Sequence, residues 1–281
     1  MSTLREALKQ AENRLKAADV PDAVYDAWEL LEYVLKIEKS YYFLHENDRM
    51  EDGQRELFER LVKQREKRIP LQQITGSAWF MGYEFYVNSN VLTPRFDTEI
   101  LVEETGKLLK SGMKILDMCT GSGCILLSLL AGNKELRLTG TGVDVSSKAL
   151  EVAEINRKRL EVEAELKESD LFSNVAGTYD IIVSNPPYIA TKELAGLMPE
   201  VKDHEPILAL DGREDGLYFY KKIVEQAGKY LNPSGWLCFE IGYDQGEALS
   251  ALLKNAGYEK IRICKDLAGL PRVALGQKLE R

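Results

Sequence analysis

The first 70 residues follow a helical pattern of apolar and polar positions. Apolar side chains recur at helical spacing in three segments: Leu4, Ala7, Leu8, Ala11 and Leu15; Ala27, Leu30, Leu31, Val34 and Leu35; and Leu57, Leu61 and Val62. Pro21 stands where the second helix can begin, and the third segment runs from Asp52 to Lys67 with a solvated charged face. We therefore predict a helical bundle at residues 1–70. It carries no catalytic pattern, which favours a role in binding a partner or positioning a substrate.

Between Pro70 and residue 96 the pattern changes to alternation. The pattern is carried by the aromatic and apolar residues Trp79, Phe80, Tyr83, Phe85 and Val87, and Gly76, Gly82 and the segment 88–90 supply turn residues. We predict a β-hairpin linker at residues 71–96, with its aromatic side chains in the core.

From residue 97 onward, predicted helices and strands alternate. Asp97 is the predicted N-cap of a helix that runs to about Lys110. The predicted strands are Lys114–Met118, Arg137–Asp144, Ala164–Glu168, Tyr179–Ser184, Trp236–Ile241, Lys260–Cys264 and Arg272–Leu279. The first five are separated by amphipathic segments, which indicates an α/β fold with a doubly wound, mostly parallel, seven-stranded sheet. The last two have no helix between them and should form an antiparallel edge hairpin. Residues 97–281 are predicted to form one α/β domain.

Composition and charge exclude several classes of protein. Hydrophobic residues make up 44% and charged residues 29% of the chain, as in ordinary globular proteins. No apolar stretch approaches the ~20 residues that span a membrane, and the first residues lack the apolar core of a secretion signal, so we expect a cytoplasmic protein. The net charge of -8 argues against binding that depends on many phosphate contacts. Two histidines, and four cysteines without zinc-site spacing, predict no metal site.

The segment Asn185-Pro186-Pro187-Tyr188 is the most informative motif. It follows the apolar run Asp180–Ser184, which reads as a buried strand, and the two prolines end that strand because neither can donate a ladder hydrogen bond. The asparagine is thus expected at the carboxyl end of a central strand, where open α/β sheets bind ligands. Two carbonyl oxygens and a tyrosine ring suit a planar group that bears an NH2.

Three other strand ends predict a nucleoside site. Cys119-Thr120-Gly121-Ser122-Gly123 follows the first parallel strand and allows close backbone approach to a ligand, although Leu126 breaks the dinucleotide pattern and no lysine completes a P-loop. Asp144 ends the next strand about 20 residues later, where a carboxylate can accept from both ribose hydroxyls; the alternative is that it caps the following helix. Asp170 can accept from an adenine amino group, with Leu171 and Phe172 against the ring.

Together these strand ends resemble the class I S-adenosylmethionine-dependent methyltransferases that act on planar amino or amide nitrogens. Their sheet has the same antiparallel edge hairpin. The resemblance implies that S-adenosylmethionine binds without a metal, leaving S-adenosylhomocysteine as product. The implied cofactor residues are Cys119, Thr120, Gly121, Ser122, Gly123, Asp144, Asp170, Leu171 and Asn185.

More of the chain resembles one branch of that class, the peptide chain release factor glutamine methyltransferases. The segments that carry the resemblance are Pro70–Gly76, Leu92–Glu99, His204–Pro206, Ala209–Gly212, Asp215–Leu217, Glu240–Gly242, Asp266–Gly269 and Pro271–Val273. Phe96 stands where the family often has proline, and Cys119 stands where glycine is usual. The alternatives are a glutamine methyltransferase of a large-subunit ribosomal protein, a DNA adenine-N6 methyltransferase and a non-catalytic scaffold. The linker match favours release factors, and the acidic charge disfavours direct nucleic-acid readout.

The resemblance implies methyl transfer to the side-chain N5 of the glutamine in a release factor Gly-Gly-Gln loop. The Asn185 side-chain oxygen and the Pro186 carbonyl would accept the two amide hydrogens, Pro187 would stiffen the loop, and Tyr188 would cover the amide plane. The long segment from Tyr188 to Arg213 is interpreted as a substrate-facing flap. Within it, Glu200, His204 and Glu205 are expected to be structural.

Overall fold

The computed structural model describes residues 2–280, which form two compact units. One unit ends at Gly76 and includes Met198–His204, and the other spans Ser77–Leu197 and continues from Glu205. The α-helices are α1 Leu4–Ala17, α2 Ala23–Leu35, α3 Lys39–His45, α4 Asp52–Glu66, α5 Leu71–Thr75, α6 Phe96–Gly106, α7 Cys124–Ala131, α8 Ser147–Arg159, α9 Pro199–Lys202, α10 Tyr218–Ala227 and α11 Gly246–Asn255. The strands are β1 Ser77–Phe80, β2 Tyr83–Tyr86, β3 Lys114–Met118, β4 Thr139–Asp144, β5 Glu165–Glu168, β6 Tyr179–Ser184, β7 Leu231–Glu240, β8 Glu259–Lys265 and β9 Pro271–Gln277.

The first unit is helical, as the apolar spacing predicts. The α1 stripe from Leu4 to Leu15 is buried, and a reciprocal capping box between Thr3 and Glu6 begins that helix. Arg65 of α4 is 5% exposed and donates to Asp26, at 2.6 Å, and to Glu200, at 2.8 Å. These bonds satisfy a buried guanidinium group, so the contacts of Glu200 are those of a structural residue.

The second unit contains a seven-stranded sheet in the order β5-β4-β3-β6-β7-β9-β8. Neighbours are parallel except that β9 runs antiparallel to both β7 and β8. The predicted doubly wound sheet with an antiparallel edge hairpin is therefore confirmed. Buried apolar clusters cover both faces of the sheet, one around Tyr220 and Phe239 and the other around Leu101 and Leu126. The carboxyl ends of β3, β4, β5 and β6 consequently meet at one edge.

Some local predictions were wrong. Helix α6 begins at Phe96 and ends at Gly106 rather than near Lys110, and its N-cap is Arg95 rather than Asp97. Arg95 follows Pro94 and is extended (φ -108°, ψ 148°), which places Asp97 in the first turn, where it pairs with Arg272 at 3.1 Å. Helix α5 lies in the segment predicted to be a β-hairpin linker, because it is too short to show a clear helical repeat. The linker aromatics were predicted in the core, which is wrong for Trp79, since its side chain is 67% exposed on β1. No helix within residues 2–280 combines the length and apolarity that a membrane crossing requires.

Candidate active site

A cavity of about 290 Å³ lies at the carboxyl ends of β3, β4, β5 and β6. The predicted residues that border it are Cys119, Thr120, Gly121, Ser122, Asp144, Asp170, Leu171, Asn185 and Pro187. Gly123, Pro186 and Tyr188 are not among the residues that line it. The fold thus brings the predicted nucleoside residues other than Gly123 to one cavity, together with Asn185 and Pro187 of the Asn-Pro-Pro-Tyr motif.

The glycine turn after β3 has the left-handed backbone that its sequence suggests. Cys119, Gly121 and Gly123 have φ values of 62°, 56° and 80°. Cys119 therefore adopts this conformation despite its Cβ. A Cβ on Gly123 would lie 2.9 Å from Cδ1 of Leu127, so this glycine allows α7 to begin close to the turn rather than contacting the cavity.

The hydroxyl of Thr120 fixes the turn to β3. It donates to Oδ2 of Asp117 at 2.6 Å, and the backbone N–H of Thr120 donates to the carbonyl of Val143 at 3.0 Å. Asp117 is completely buried, and this burial raises the pKa of its carboxyl group to about 7.

Asp144 is held at the end of β4 by backbone amides. Its two carboxylate oxygens accept from the N–H groups of Gly121 and Ser146, each at 2.9 Å. Burial raises the pKa of Asp144, and these amide hydrogen bonds oppose the rise. The cap of α8 is Ser146, whose side chain accepts from Ala149, so Asp144 is not that cap. Each oxygen keeps a lone pair for a ligand hydroxyl.

After β5, only part of the expected adenine contact reaches the cavity. Asp170 is exposed and borders the cavity, and Leu171 lies beside it with a φ of 48°. Phe172 was also expected against the ring, but this was wrong. It is 2% exposed and stacks on Tyr230 with ring centroids 4.6 Å apart, because its side chain points into the core.

The Asn-Pro-Pro-Tyr segment is fixed by close contacts around Tyr188. The Tyr188 carbonyl accepts from Nε2 of Gln245 at 3.1 Å, and the neighbouring backbone pairs with the segment before Gly212. A Cβ on Gly212 would lie 2.7 Å from Cα of Tyr188, and one on Gly216 would lie 2.3 Å from its carbonyl oxygen. Both glycines are therefore required for the chain to pass this close.

The flap that follows Tyr188 is tied to the linker through Glu205. This carboxylate is 5% exposed and accepts from the backbone N–H of Thr93 at 3.2 Å and from Arg95 at 2.7 Å. Pro206 and Arg213 of the flap border the cavity. In the helical unit, the ring of His204 contacts the carbonyl of Lys67 at 3.0 Å.

The sequence predicted no role for three buried polar residues at the site, although Thr98 and Glu240 lie in segments that carry the family resemblance. Thr98 lies 3.5 Å from Nδ2 of Asn185, and Glu240 accepts from the Tyr188 hydroxyl at 3.2 Å. Asn156 accepts from the N–H of Tyr86 at 2.6 Å and donates to the carbonyl of Ser122 at 2.9 Å, which joins the hairpin to the glycine turn. Each makes its contact with a distant part of the chain, so no local pattern reveals it.

Comparison with known sequences gives consistent results over almost the whole chain. A family model described as the PrmC N-terminal domain matches residues 6–76, and one described as the methyltransferase small domain matches residues 88–200. A protein of Clostridium acetobutylicum named release factor glutamine methyltransferase is 38% identical over 279 residues, covering 97% of each chain. A Thermodesulfovibrio yellowstonii protein of the same name is 39% identical and covers 91% of this chain and 92% of its own.

Solved structures share the fold at lower identity. A methyltransferase from Pyrococcus furiosus matches with a TM-score of 0.53 and 20% identity, covering 70% of this chain and 90% of its own. A 16S rRNA guanosine methyltransferase from Thermus thermophilus, in complex with AdoMet and guanosine, matches with a TM-score of 0.50 and 17% identity, covering 72% of this chain and 49% of its own. At these identities the likeness shows a methyltransferase fold.

Proposed function

The chain belongs to the release factor glutamine methyltransferase family, and we propose how its own residues carry out that activity. The enzyme methylates the side-chain nitrogen N5 of the glutamine in the Gly-Gly-Gln motif of peptide chain release factors. The observation that carries this proposal is the position of Asn185, which borders the same cavity as the glycine turn and Asp144. Release factors act in the cytoplasm, where we propose that the enzyme works.

The residues around the cavity fit S-adenosylmethionine. The Asp144 carboxylate has acceptor capacity for two ribose hydroxyls, since its backbone partners occupy one lone pair on each oxygen. Asp170 is the acceptor for the adenine amino group, and Leu171 provides an apolar wall. The turn residues Cys119 to Ser122 allow close approach of the backbone to the cofactor. When bound, the cofactor provides an electrophilic methyl group on its sulfonium.

At the substrate, this chain's residues act mainly as hydrogen-bond acceptors. The Asn185 oxygen and the Pro186 carbonyl take the two hydrogens of the glutamine amide, while Pro187 limits movement of the loop. The Tyr188 ring covers the amide plane, and its hydroxyl is held by Glu240 at 3.2 Å. An amide nitrogen needs no strong base, because its proton becomes acidic only as the C–N bond forms, and one of the two oxygens that hold the amide hydrogens would then pass that proton to water. Holding the nitrogen in line for attack is therefore the chief contribution.

We assign recognition of the release factor to the helical region at residues 1–70, with residues 71–96 as linker and residues 97–281 as the catalytic domain. Helices α2 and α3 expose three large apolar side chains. Tyr25, Phe43 and Leu44 are 57%, 71% and 83% exposed. Such side chains are typical of protein-binding surfaces.

The test is mass spectrometry of an unmethylated release factor after incubation with the enzyme and S-adenosylmethionine. A single added methyl on the glutamine of the Gly-Gly-Gln peptide is expected. Asn185→Ala should lower kcat by about 100-fold while cofactor affinity stays within about twofold. Asp144→Ala should instead weaken cofactor binding. Methylation of a ribosomal protein or of duplex DNA, with none on the release factor, would overturn the proposal.

A further inference from the structure

Behind the Asn-Pro-Pro-Tyr segment lies a group of buried polar side chains from two other elements. Thr98 is in the first turn of α6, and Glu240 is the last residue of β7; each is 3% exposed. Nδ2 of Asn185 donates to Oγ1 of Thr98 at 3.5 Å, and the hydroxyl of Tyr188 donates to Oε1 of Glu240 at 3.2 Å. Two side chains of the motif are therefore held from behind.

The number of hydrogens that these side chains can donate limits how their hydrogen bonds can be arranged. The Thr98 hydroxyl has one hydrogen, and it remains available for donation while the oxygen accepts from Asn185. Oε2 of Glu240 is buried and lacks a hydrogen-bond partner in the part of the chain that the structure describes. Burial raises the pKa of Glu240 to about 7, and the Thr98 hydroxyl is the strongest group that opposes the rise. Thr98 is thus the donor available to this carboxylate.

A reversed asparagine amide would disturb the arrangement. Its oxygen would then meet the Thr98 oxygen and compete with Glu240 for the single hydroxyl hydrogen. An unsatisfied buried carboxylate is costly. The charge on Glu240 therefore favours the orientation in which the Asn185 NH2 group faces Thr98 and its oxygen faces away from Thr98.

We propose that Thr98 and Glu240 are positioning residues that fix the Asn185 amide so that its oxygen, rather than its NH2 group, meets the substrate amide. Glu240 also holds the Tyr188 ring through the phenol. This inference rests on the proposed function, because the orientation matters only if Asn185 accepts hydrogens from a glutamine amide.

The arrangement should respond to pH through Glu240. The charged and titratable groups around it are Asp97 and Tyr220, which lie on α6 and α10, Cys124 on α7, Arg272 on β9 and Tyr188 itself. Asp97 disfavours ionisation of Glu240, and Arg272 favours it. An ionised Glu240 accepts from the Tyr188 hydroxyl and attracts the hydrogen of the Thr98 hydroxyl, whereas a protonated Glu240 leaves the Thr98 hydrogen free to turn toward Asn185. We expect kcat to rise with pH as Glu240 ionises. Glu240→Gln should remove this rise from the pH profile of kcat.

The first test compares two identical substitutions on one helix. Thr98→Val should lower kcat for release factor methylation by about 10- to 100-fold, with cofactor affinity changed by less than about twofold, and Thr98→Ser should restore most of the activity. Thr105→Val is the matched control, because Thr105 is also buried on α6 and its hydroxyl acts on the Cys238 thiol rather than on Glu240. The control should keep wild-type kcat.

The outcomes separate this inference from the proposed function. If the wild-type enzyme does not methylate the release factor, both are overturned. If it does, and Thr98→Val is as active as Thr105→Val, only the positioning role is overturned. Should Thr98→Val fail to fold, the pH profile of kcat in Glu240→Gln is the deciding measurement. A rise of kcat with pH that matches the wild type would contradict the positioning role of Thr98 and Glu240.

Discussion

Gly216 lies against the backbone of Tyr188, and replacing it with alanine should damage both stability and catalysis. Its φ is +71°, and an added Cβ would lie 2.3 Å from the Tyr188 carbonyl oxygen and 2.8 Å from Nε2 of Gln245. The same Gln245 nitrogen donates to that carbonyl at 3.1 Å. The new methyl group would therefore push on the carbonyl and on the side chain that holds it.

The size of the disturbance follows from the contact distances. Because real Cβ contacts are essentially never shorter than 3.0 Å, the Tyr188 carbonyl and Gly216 must separate by at least about 0.7 Å, the difference between 3.0 and 2.3 Å. Left-handed strain costs about 1–2 kcal/mol, and overpacking adds about 1–3 kcal/mol. A movement of this size two residues from Pro186 should lower kcat by about 10- to 100-fold.

Gly177→Ala separates the backbone strain from the clash. Gly177 has a φ of +77°, and nothing lies within 4 Å of an added Cβ. We expect Gly177→Ala to lose about 1–2 kcal/mol of unfolding free energy with kcat unchanged. Both variants are compared by urea unfolding and by initial rates of release factor methylation. Equal stability losses, or an unchanged kcat in Gly216→Ala, would refute the steric reasoning.

Three further outcomes are expected. Phe43→Ala should raise KM for intact release factor by about 5- to 10-fold and leave a short Gly-Gly-Gln peptide unaffected, because Phe43 is exposed; equal effects on both substrates would argue against a docking role. Burial raises the pKa of Glu200, but hydrogen bonds from Arg68 and Arg65 outweigh this effect and hold the pKa at about 2. This carboxylate therefore stabilises the fold at pH values above the pKa that it has in the unfolded chain. Glu200→Gln should cost about 3 kcal/mol at pH 7 in urea unfolding, a difference that must shrink as the pH falls toward 2. Burial raises the pKa of Asp117 to about 7, so the unfolding free energy of the wild type should fall as the pH rises from about 4 through 7. Asp117→Asn should remove at most about 4 kcal/mol of that loss. A wild-type unfolding free energy that does not change over this pH range would contradict the expectation.

Local signals were sufficient for the sheet and for the position of the motif. The bounds of β3 and β6 match the predicted strands, Lys114–Met118 and Tyr179–Ser184. Each is a short apolar run ended by residues that cannot continue a strand, a glycine turn in one case and two prolines in the other. The absence of a helix between β8 and β9 likewise indicated the antiparallel edge hairpin. These features depend on neighbours along the chain, and the sequence displays them directly.

Helix ends were less predictable, because a cap depends on the conformation of one residue. Asp97 has the composition of an N-cap, but Pro94 and the extended Arg95 begin α6 two residues earlier. Phe172 has the character of a ring-stacking residue, yet its partner is Tyr230, far along the chain.

The sequence by itself determined which residues end the central strands and that a nucleoside and a planar amide are suitable ligands there. Only the tertiary structure decided what supports those residues. Thr98 and Asn185 are 87 positions apart, and Tyr188 and Glu240 are 52 apart. Strand periodicity and turn chemistry are set by adjacent backbone groups, so they can be seen in the sequence. Contacts between distant side chains exist only after the sheet has brought the carboxyl ends of its strands together, and for that reason the contacts of Thr98 with Asn185 and of Glu240 with Tyr188 became visible only in the folded chain.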